Sequence, residues 1–336
     1  MIAPHTLELT MEADKDTFNR WHEAAEQKKT YSFKKNKDYA ITDDGVTIWF
    51  HKTEYKKKIK VLVNPSKVLG LDDLVKLWKP NRSNIEEFLY RLEDHIGDYF
   101  DAEYGIRDFK LSRIDFATNI RLDDSDKVSA YIRFLYNIRK VKGFSPKDWS
   151  HYDDFDSSSS FDLEGNSNGI DFTAYDKATA IKNQMEDNEF KRKDLKERME
   201  KAKGILRAEV KLTTQKAISN YTDEDNTIDR IGALCEQSKE IFMETFFRVV
   251  PFGDIYKKDK VVKTIRENVT DKHLKRKMLL LVDLIHKKKS LHLAQKTLND
   301  RHIDRIMAEF ARHNVSPVTI SKRHDIKHLK SLYTFI

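Results

Sequence analysis

Two acidic residues of this chain stand inside segments that are otherwise apolar. Asp115 lies in LSRIDFATNI, and Glu209 lies in ILRAEVKLT. In each segment an arginine, Arg113 or Arg207, precedes the acid by two positions, so that on a strand both side chains share one face. A buried charge is costly unless a partner neutralises it. Each pattern therefore indicates either an ion pair or a carboxylate held on a rigid element for chemistry.

A third segment, IDFTAYDK, ends in a tyrosine, an acid and a lysine, which are Tyr175, Asp176 and Lys177. If the three strands are neighbours in one sheet, Asp115 and Glu209 would meet around one divalent cation, because Mg²⁺ and Mn²⁺ prefer oxygen ligands. Such an ion would polarise a phosphodiester, and a nearby tyrosine hydroxyl would attack it to form a covalent phosphotyrosine. The alternative is that both acids only neutralise the two arginines across the sheet. The residues by themselves leave both interpretations open.

The elements that would position these groups are strands in the first two thirds of the chain. KDYAIT, GVTIWFHKT and KKIKVLVNP alternate or are rich in β-branched residues, which predicts a meander. Further strands are predicted at residues 108–121, at about 159–163 and 169–175, and at ILRAEVKLT. Residues 145–168 are rich in Ser, Asp and Asn, which is typical of a loop or a hairpin.

Helices are predicted between these strands, and they dominate after Thr213. LDDLVKLWK is expected to form a helix that Pro80 ends, and SNIEEFLYRLEDHIGDYF a second one with a capping-box spacing from Ser83 to Glu86. SDKVSAYIRFLYNIRK has apolar residues at helical spacing, and a long charged helix is expected up to about Lys203. The helices predicted after residue 213 cover about 226–248, 258–268, 271–288, 290–298 and 300–313, with a last short helix from Ser316.

Strands and helices are therefore segregated along the chain, and so is charge. The segregation predicts an α+β fold with two domains, an α+β domain at 1–213 and a helical domain at 214–336.

The 336 residues include 62 Lys and Arg against 55 Asp and Glu, a net charge of +7. From Lys257 onward the counts are 20 and 8, whereas the rest of the chain has 42 and 47. A basic domain joined to a mildly acidic one suggests that the basic domain binds a polyanion.

Other features of the sequence exclude some classes of protein. The single cysteine, Cys235, excludes an internal disulfide framework and a thiolate-rich metal site. No apolar run approaches the roughly 18 residues that are needed to cross a bilayer. The N-terminus turns acidic at once and lacks the apolar core of a signal peptide. We therefore expect a cytoplasmic protein without a membrane partner.

The basic C-terminal region is predicted to contact DNA. Its final helices are short and the last one is basic, which favours a helix-turn-helix-like module with that helix in the major groove. Helical tails are also ordinary packing or dimerisation units, so both interpretations stay open. Contacts to phosphate position a protein on DNA without reading its sequence. The predicted DNA contacts are Arg113, Lys287, Lys288, Lys289, Lys322, Arg323, Lys327 and Lys330.

The order of the three strand motifs resembles that of rolling-circle replication initiators of the plasmid Rep-trans type and of related phage replication proteins. SRIDFATNI, GNSNGIDFTAYDK and LRAEVKL carry this resemblance, which covers roughly residues 108–213. It implies a mostly antiparallel central sheet, a divalent ion (Mg²⁺ or Mn²⁺) held by strand carboxylates, and a tyrosine that nicks one DNA strand at an origin. The helical patterns after Thr213 predict that an all-helical C-terminal region follows this sheet. By position, the resemblance implies that Asp115 and Glu209 are metal ligands and that Lys177 and Arg207 are phosphate-facing cations.

The sequence departs from the family pattern at two places. Asn119 stands where the first motif often has a second acid, and no tyrosine precedes the Gly/Ser turn, where Phe161 and Leu163 stand instead. Tyr175 and Tyr152 are then the available nucleophiles, and Tyr175 is the predicted one. No His-hydrophobic-His triplet is present, so the other large class of tyrosine-dependent nickases is not supported.

Three functions are therefore compared. The preferred one is a plasmid- or phage-type DNA replication initiator that is a metal-dependent endonuclease. The second is a non-enzymatic DNA-binding protein derived from such an initiator, and the third is a protein-interaction module whose ion pairs are structural. The predicted partner is origin DNA, single- and double-stranded, with a second copy of the chain and a replicative helicase as further candidates.

Overall fold

The computed structural model describes residues 1–27, 31–34, 37–41, 45–52, 56–71, 75–100, 104–122, 124–147, 159–186, 192–322 and 324–336. The chain divides into two compact units. The first unit contains Met1–Thr118, Asn168–Ile170 and Val210–Phe242, and the second contains Asn119–Ser167, Asp171–Glu209 and Met243–Ile336. The division at residue 213 is one of sequence and stays a prediction.

The strands in chain order are β1 (Ile2–Glu12), β2 (Tyr31–Lys34), β3 (Lys37–Ile41), β4 (Val46–Lys52), β5 (Lys57–Val63), β6 (Lys110–Arg121), β7 (Phe144–Pro146), β8 (Ser160–Gly165), β9 (Ile170–Asp176), β10 (Ile205–Leu212), β11 (Ile255–Tyr256) and β12 (His328–Leu329). The α-helices are α1 (Lys15–Glu26), α2 (Pro65–Val68), α3 (Arg82–Tyr99), α4 (Ser125–Tyr136), α5 (Lys177–Glu186), α6 (Arg192–Ala202), α7 (Gln215–Ser219), α8 (Thr227–Glu236), α9 (Ser238–Val249), α10 (Lys258–Asn268), α11 (Lys272–Lys288), α12 (Leu291–Leu298) and α13 (Ile303–Arg312). Short 3₁₀ helices lie at Ile106–Asp108 and Leu332–Phe335.

The first unit is built on antiparallel strands in the order β2-β3-β4-β5-β1-β6. The predicted meander is confirmed as β3, β4 and β5. Alternate residues of β4 and β5, such as Ile48 and Val61, are buried, because successive side chains of a strand point to opposite faces. β1 was not predicted from the sequence, yet it lies between β5 and β6 and buries Leu7 and Leu9 completely.

The two helices predicted after the meander have different outcomes. The second is confirmed as α3, but its N-cap is Asn81, whose side chain accepts a hydrogen bond from the Asn84 amide, and not Ser83. The first is wrong within its described residues, 75–79, which are not helical. Trp78 is buried there and its Nε1 donates to the Pro4 carbonyl at 2.6 Å, which holds the segment against β1.

The second unit contains the strands β10, β9, β8 and β7 in that spatial order, and the β7–β8 and β8–β9 pairs are antiparallel. These strands confirm the predictions near 159–163, 169–175 and ILRAEVKLT. The predicted charged helix appears as α5 and α6, and residues 187–191 lie outside the described part of the chain. The fold class is therefore α+β, as the segregation of strands and helices predicted.

The helices predicted at 258–268, 271–288, 290–298 and 300–313 are confirmed as α10 to α13. The last predicted helix, from Ser316, is wrong: its described residues form bends, a turn and an isolated bridge, followed by β12. The physical reason is that its backbone hydrogen bonds go to another segment. The Ser316 amide donates to the Asp254 carbonyl, the Ile320 amide donates to the Tyr256 carbonyl, and β12 pairs with β11. A helix-turn-helix-like module with a basic final helix is therefore not formed by the described residues.

Within the described ranges, the structure contains no helix whose length and apolar content would let it cross a membrane.

Candidate functional site

Four residues named from the sequence motifs lie together in the second unit. β9 and β10 are neighbouring strands, and they carry Tyr175 on β9 and Arg207 and Glu209 on β10. Lys177 is the first residue of α5, because the Asp176 carboxylate accepts a hydrogen bond from the Ala178 amide and so starts the helix directly after the strand. Lys177, Arg207 and Glu209 are all buried, with 5%, 0% and 5% of their surface exposed.

The tyrosine hydroxyl and the carboxylate of this cluster are joined by a hydrogen bond. Tyr175 Oη donates to Glu209 Oε1 at 2.6 Å. Arg207 Nε donates to Asn119 Oδ1 at 2.7 Å, on the end of β6. The end of β6 is held beside the start of β10 because the Leu122 amide donates to the Gly204 carbonyl at 2.7 Å. Gly204 has a φ of +71°, and a Cβ there would lie 2.6 Å from the Leu122 carbonyl oxygen, so the contact requires a glycine.

Burial and neighbouring charges change the acidity of both proton-carrying groups. The pKa of Lys177 is lowered from 10.5 to about 7, mainly by burial and also by the positive charge of Arg207, while Glu209 acts in the opposite direction. Burial also raises the pKa of Tyr175 well above its ordinary value, and the negative charge of Glu209 adds to this, partly offset by Arg207. Near neutral pH the phenol is therefore protonated, and Lys177 exchanges between its charged and neutral forms.

This arrangement can support a nucleophilic tyrosine, and it can also be explained as structure. A buried phenol is a weak nucleophile unless an adjacent base takes its proton, and Glu209 is such a base at hydrogen-bonding distance. Lys177 and Arg207 would supply positive charge to a phosphate. The structural explanation is that a buried Tyr175 simply satisfies its hydroxyl group with a carboxylate.

Asp115 lies in the first unit and forms an ion pair with its own arginine. Arg113 Nε and Nη2 donate to Asp115 Oδ1 and Oδ2 at 2.7 and 2.6 Å, and the Asp115 side chain is 3% exposed. On the adjacent β1, Glu8 is opposite Arg113, and its carboxylate accepts hydrogen bonds from Lys60 and Ser112. Burial raises the pKa of Glu8, but these hydrogen bonds and the charges of Lys60 and Arg113 outweigh it and lower the pKa overall.

Both carboxylates that were predicted as metal ligands already have hydrogen-bonding partners within their own units. Both oxygens of Asp115 accept from Arg113, and Glu209 accepts from Tyr175 beside two basic side chains. Adding a dication beside Lys177 and Arg207 would place like charges together in a buried site. Among the described residues, no three His, Cys, Asp or Glu side chains come together as metal ligands would. The meeting of Asp115 with Glu209 around one ion stays a prediction.

The predicted DNA-contacting lysines lie on the surface of the second unit. Lys287, Lys288 and Lys289 are exposed at the end of α11, and Lys322, Lys327 and Lys330 are exposed on the non-helical segment that follows α13. Arg323 and Tyr152 lie outside the described residues. Burial lowers the pKa of His286, and the charges of Lys289, Lys258 and Lys322 lower it further. Lysines of both groups therefore lie near this histidine.

Two residues of these sites were not predicted from the sequence. Asn119 was considered only as a missing acid, yet it is the acceptor for Arg207. Glu8 was not considered at all, because its strand was not predicted, although the alternation in LELTME was an available signal. Both roles depend on contacts between strands that are distant in sequence.

No family model matches this chain, and no curated protein sequence matches it. Among solved structures, the chain is similar to one described as a rolling circle replication initiator protein from Geobacillus stearothermophilus. The similarity covers 82% of this chain and 90% of that one, with 11% sequence identity and a TM-score of 0.32. A likeness at this level carries no argument about activity.

Proposed function

We propose that this chain is a DNA replication initiator of the rolling-circle type, and that it nicks one strand of origin DNA with Tyr175 as the nucleophile. The observation that carries the proposal is the 2.6 Å hydrogen bond from the Tyr175 hydroxyl to the Glu209 carboxylate, beside two buried basic residues. Supporting it is the order of the strand motifs, which resembles that of the plasmid and phage initiators.

The proposed step is a transesterification at phosphorus. Tyr175 Oη forms a bond to the phosphorus atom while its proton passes to Glu209, and the bond from phosphorus to one sugar oxygen breaks. The departing oxygen takes a proton from the Lys177 ammonium group and leaves as a hydroxyl, and Arg207 faces the charge on the phosphoryl oxygens. A lysine with a pKa of about 7 is suited to this role, since it holds and releases a proton near neutral pH.

The DNA would be held mainly through its phosphates. The exposed lysines at the end of α11 and on the segment after α13 form a basic surface, and each released counterion contributes to affinity. Replacing Lys287, Lys288 and Lys289 together by alanine should therefore flatten the salt dependence of DNA binding.

A divalent metal ion is a separate proposal, and no step above uses it. Chelation of Mg²⁺ and Mn²⁺ during the nicking assay tests whether the reaction requires such an ion.

The test is the formation of a covalent protein–DNA adduct on supercoiled DNA that carries the origin. Wild-type protein should relax the DNA and remain attached to it, whereas Tyr175→Phe should yield no adduct. Tyr131→Phe is a matched control, because the hydroxyl of that buried tyrosine donates to the Lys330 carbonyl and has no role in the proposed step. An adduct that persists in Tyr175→Phe would contradict the assignment of the nucleophile.

A second function is favoured by a different observation. Both oxygens of the Asp115 carboxylate accept from Arg113, and the pKa of Tyr175 is raised, which is what a protein that binds DNA without cutting it would also show. This alternative predicts salt-sensitive binding to DNA with no adduct under any metal condition. A module that binds only proteins would show neither binding nor adduct.

A further inference from the structure

An aromatic cluster in the second unit lies apart from the residues assigned to nicking. Tyr333, in the 3₁₀ helix near the C-terminus, contacts two phenylalanine rings. Its ring centroid is 5.2 Å from that of Phe247, with the planes 17° apart, and 5.1 Å from that of Phe252, with the planes 36° apart. Phe247 is 61% exposed and Phe252 is 45% exposed. Two large apolar rings therefore face water while they contact a common third ring.

The central ring of this cluster is fixed in position. Tyr333 Oη donates to the Val250 carbonyl at 2.6 Å, and burial raises the pKa of the hydroxyl, which keeps it protonated as a donor. Phe246 is fully buried and packs edge-on against Tyr333 at 5.0 Å, and it also contacts Phe172 of β9. The exposed rings thus stand on a rigid support, so a ligand that stacks on them would lose little additional conformational freedom from the protein.

Exposed single apolar side chains are ordinary on protein surfaces, but a joined aromatic patch is less so. Among the described residues, the other large exposed apolar side chains are Met1, Tyr90, Leu280 and Leu293. None of these has a ring contact of the kind that Phe247 and Phe252 make with Tyr333. The cluster therefore combines exposure, mutual stacking and support from the core.

The charge around this cluster indicates what kind of ligand it takes. Residues 243–336 carry 21 Lys and Arg against 10 Asp and Glu, so this part of the unit attracts a polyanion. Arg248, next to Phe247 on α9, and Lys330, three residues before Tyr333, are both exposed. A polyanion whose flat aromatic groups can continue a ring stack is a single-stranded nucleic acid.

We propose that Phe247, Phe252 and Tyr333 form a stacking platform for unpaired bases of single-stranded DNA. The choice of DNA as the polyanion rests on the proposed function, since an initiator must hold a strand that has left the duplex. Bases in a duplex stack on each other and offer no free face, so the platform selects unpaired strands. It reads no sequence, because every base has a flat face.

The test measures the binding of labelled oligothymidylate by fluorescence anisotropy, in the Tyr175→Phe background so that no covalent step interferes. Phe247→Ala and Phe252→Ala should each weaken binding by about tenfold, in the range that loss of one stacked base gives. Binding to an abasic strand with the same phosphates should be unchanged. The matched control is Tyr90→Ala, which removes an aromatic ring that is 68% exposed in the first unit and should have no effect.

A second pair of variants separates ring stacking from apolar contact. Phe247→Leu keeps an apolar side chain without a ring and should bind as weakly as Phe247→Ala, whereas Phe247→Trp should retain the wild-type affinity. Wild-type affinity in both alanine variants, an equal loss on the abasic strand, or full affinity in Phe247→Leu would overturn the platform. Absence of a covalent adduct in the nicking assay would instead contradict the proposed function and leave this binding result standing.

Discussion

The same short pattern, an arginine two residues before an acid on a strand, appears in both units and leads to two different sites. In the first unit Arg113 donates two hydrogen bonds to Asp115 and occupies both of its carboxylate oxygens. In the second unit Arg207 donates to Asn119, and Glu209 accepts from Tyr175. The neighbouring strands make this difference, because they supply an amide oxygen to one arginine and a phenol to one acid.

The spacing of residues on a strand therefore determines which side chains share a face, but not which of them become hydrogen-bonding partners. A buried carboxylate paired with a guanidinium becomes an uncompensated charge when the arginine is removed, whereas a carboxylate bonded to a hydroxyl is suited to proton transfer. We therefore expect substitutions at the two acids to separate stability from chemistry.

The largest effect is expected on stability when Arg113 is removed. Arg113→Met would leave the buried Asp115 carboxylate without the two hydrogen bonds from the guanidinium, which should lower the free energy of unfolding by about 3 kcal/mol. Urea denaturation measures the change, and the double variant Arg113→Met, Asp115→Leu should recover most of it because no buried charge is left. A loss below about 1 kcal/mol in the single variant would show that the Asp115 carboxylate is not left as an uncompensated buried charge.

Glu209→Gln should act in the opposite way, on activity more than on stability. The amide can still accept a hydrogen bond from Tyr175 but cannot take its proton, so the rate of adduct formation should fall by about a hundredfold or more. Asp115→Asn is the matched change in the first unit. If both variants lose activity equally while remaining folded, the distinction between the two sites is wrong.

The fold was predictable from the sequence where the signal is local. Strands β6, β9 and β10 follow from alternation and apolar composition, and helices α10 to α13 from apolar spacing. β1 was missed because its place between β5 and β6 depends on pairing with segments far along the chain. The last predicted helix failed for the same reason, since its amides donate to the backbone near β11.

The candidate site was predictable as a set of residues but not as a set of contacts. Tyr175, Lys177, Arg207 and Glu209 were all named from their motifs, and the second unit brings them together. That the hydroxyl of Tyr175 would meet Glu209, and that Arg207 would meet Asn119, depends on side-chain torsions and on how neighbouring strands are aligned, and the sequence pattern contains neither.

Lys177 makes the free energy of unfolding depend on pH through the site in the second unit. Its pKa is lowered to about 7 in the folded protein, against 10.5 when exposed, so between these values the unfolded chain binds one more proton than the folded one. The free energy of unfolding should therefore rise with pH across this window, by up to about 1.4 kcal/mol per unit for this group. Denaturation at several pH values, compared with Lys177→Met, isolates the contribution, and equal slopes in both proteins would contradict it.

The smallest effect is expected at Asn119, where one atom can be changed to make the second site more like the first. Asn119→Asp would give Arg207 a charged acceptor in place of an amide oxygen, and a charge-assisted hydrogen bond is stronger by about 1 kcal/mol. The added negative charge should also raise the pKa of Lys177 in the folded protein. The pH range over which the free energy of unfolding rises should therefore begin at a higher pH. Urea denaturation and the pH series together measure both changes, with Asn119→Leu as the variant that removes the acceptor. If the aspartate variant is no more stable than the leucine variant, then Arg207 does not depend on this partner, and the contrast between the two arginines loses its basis.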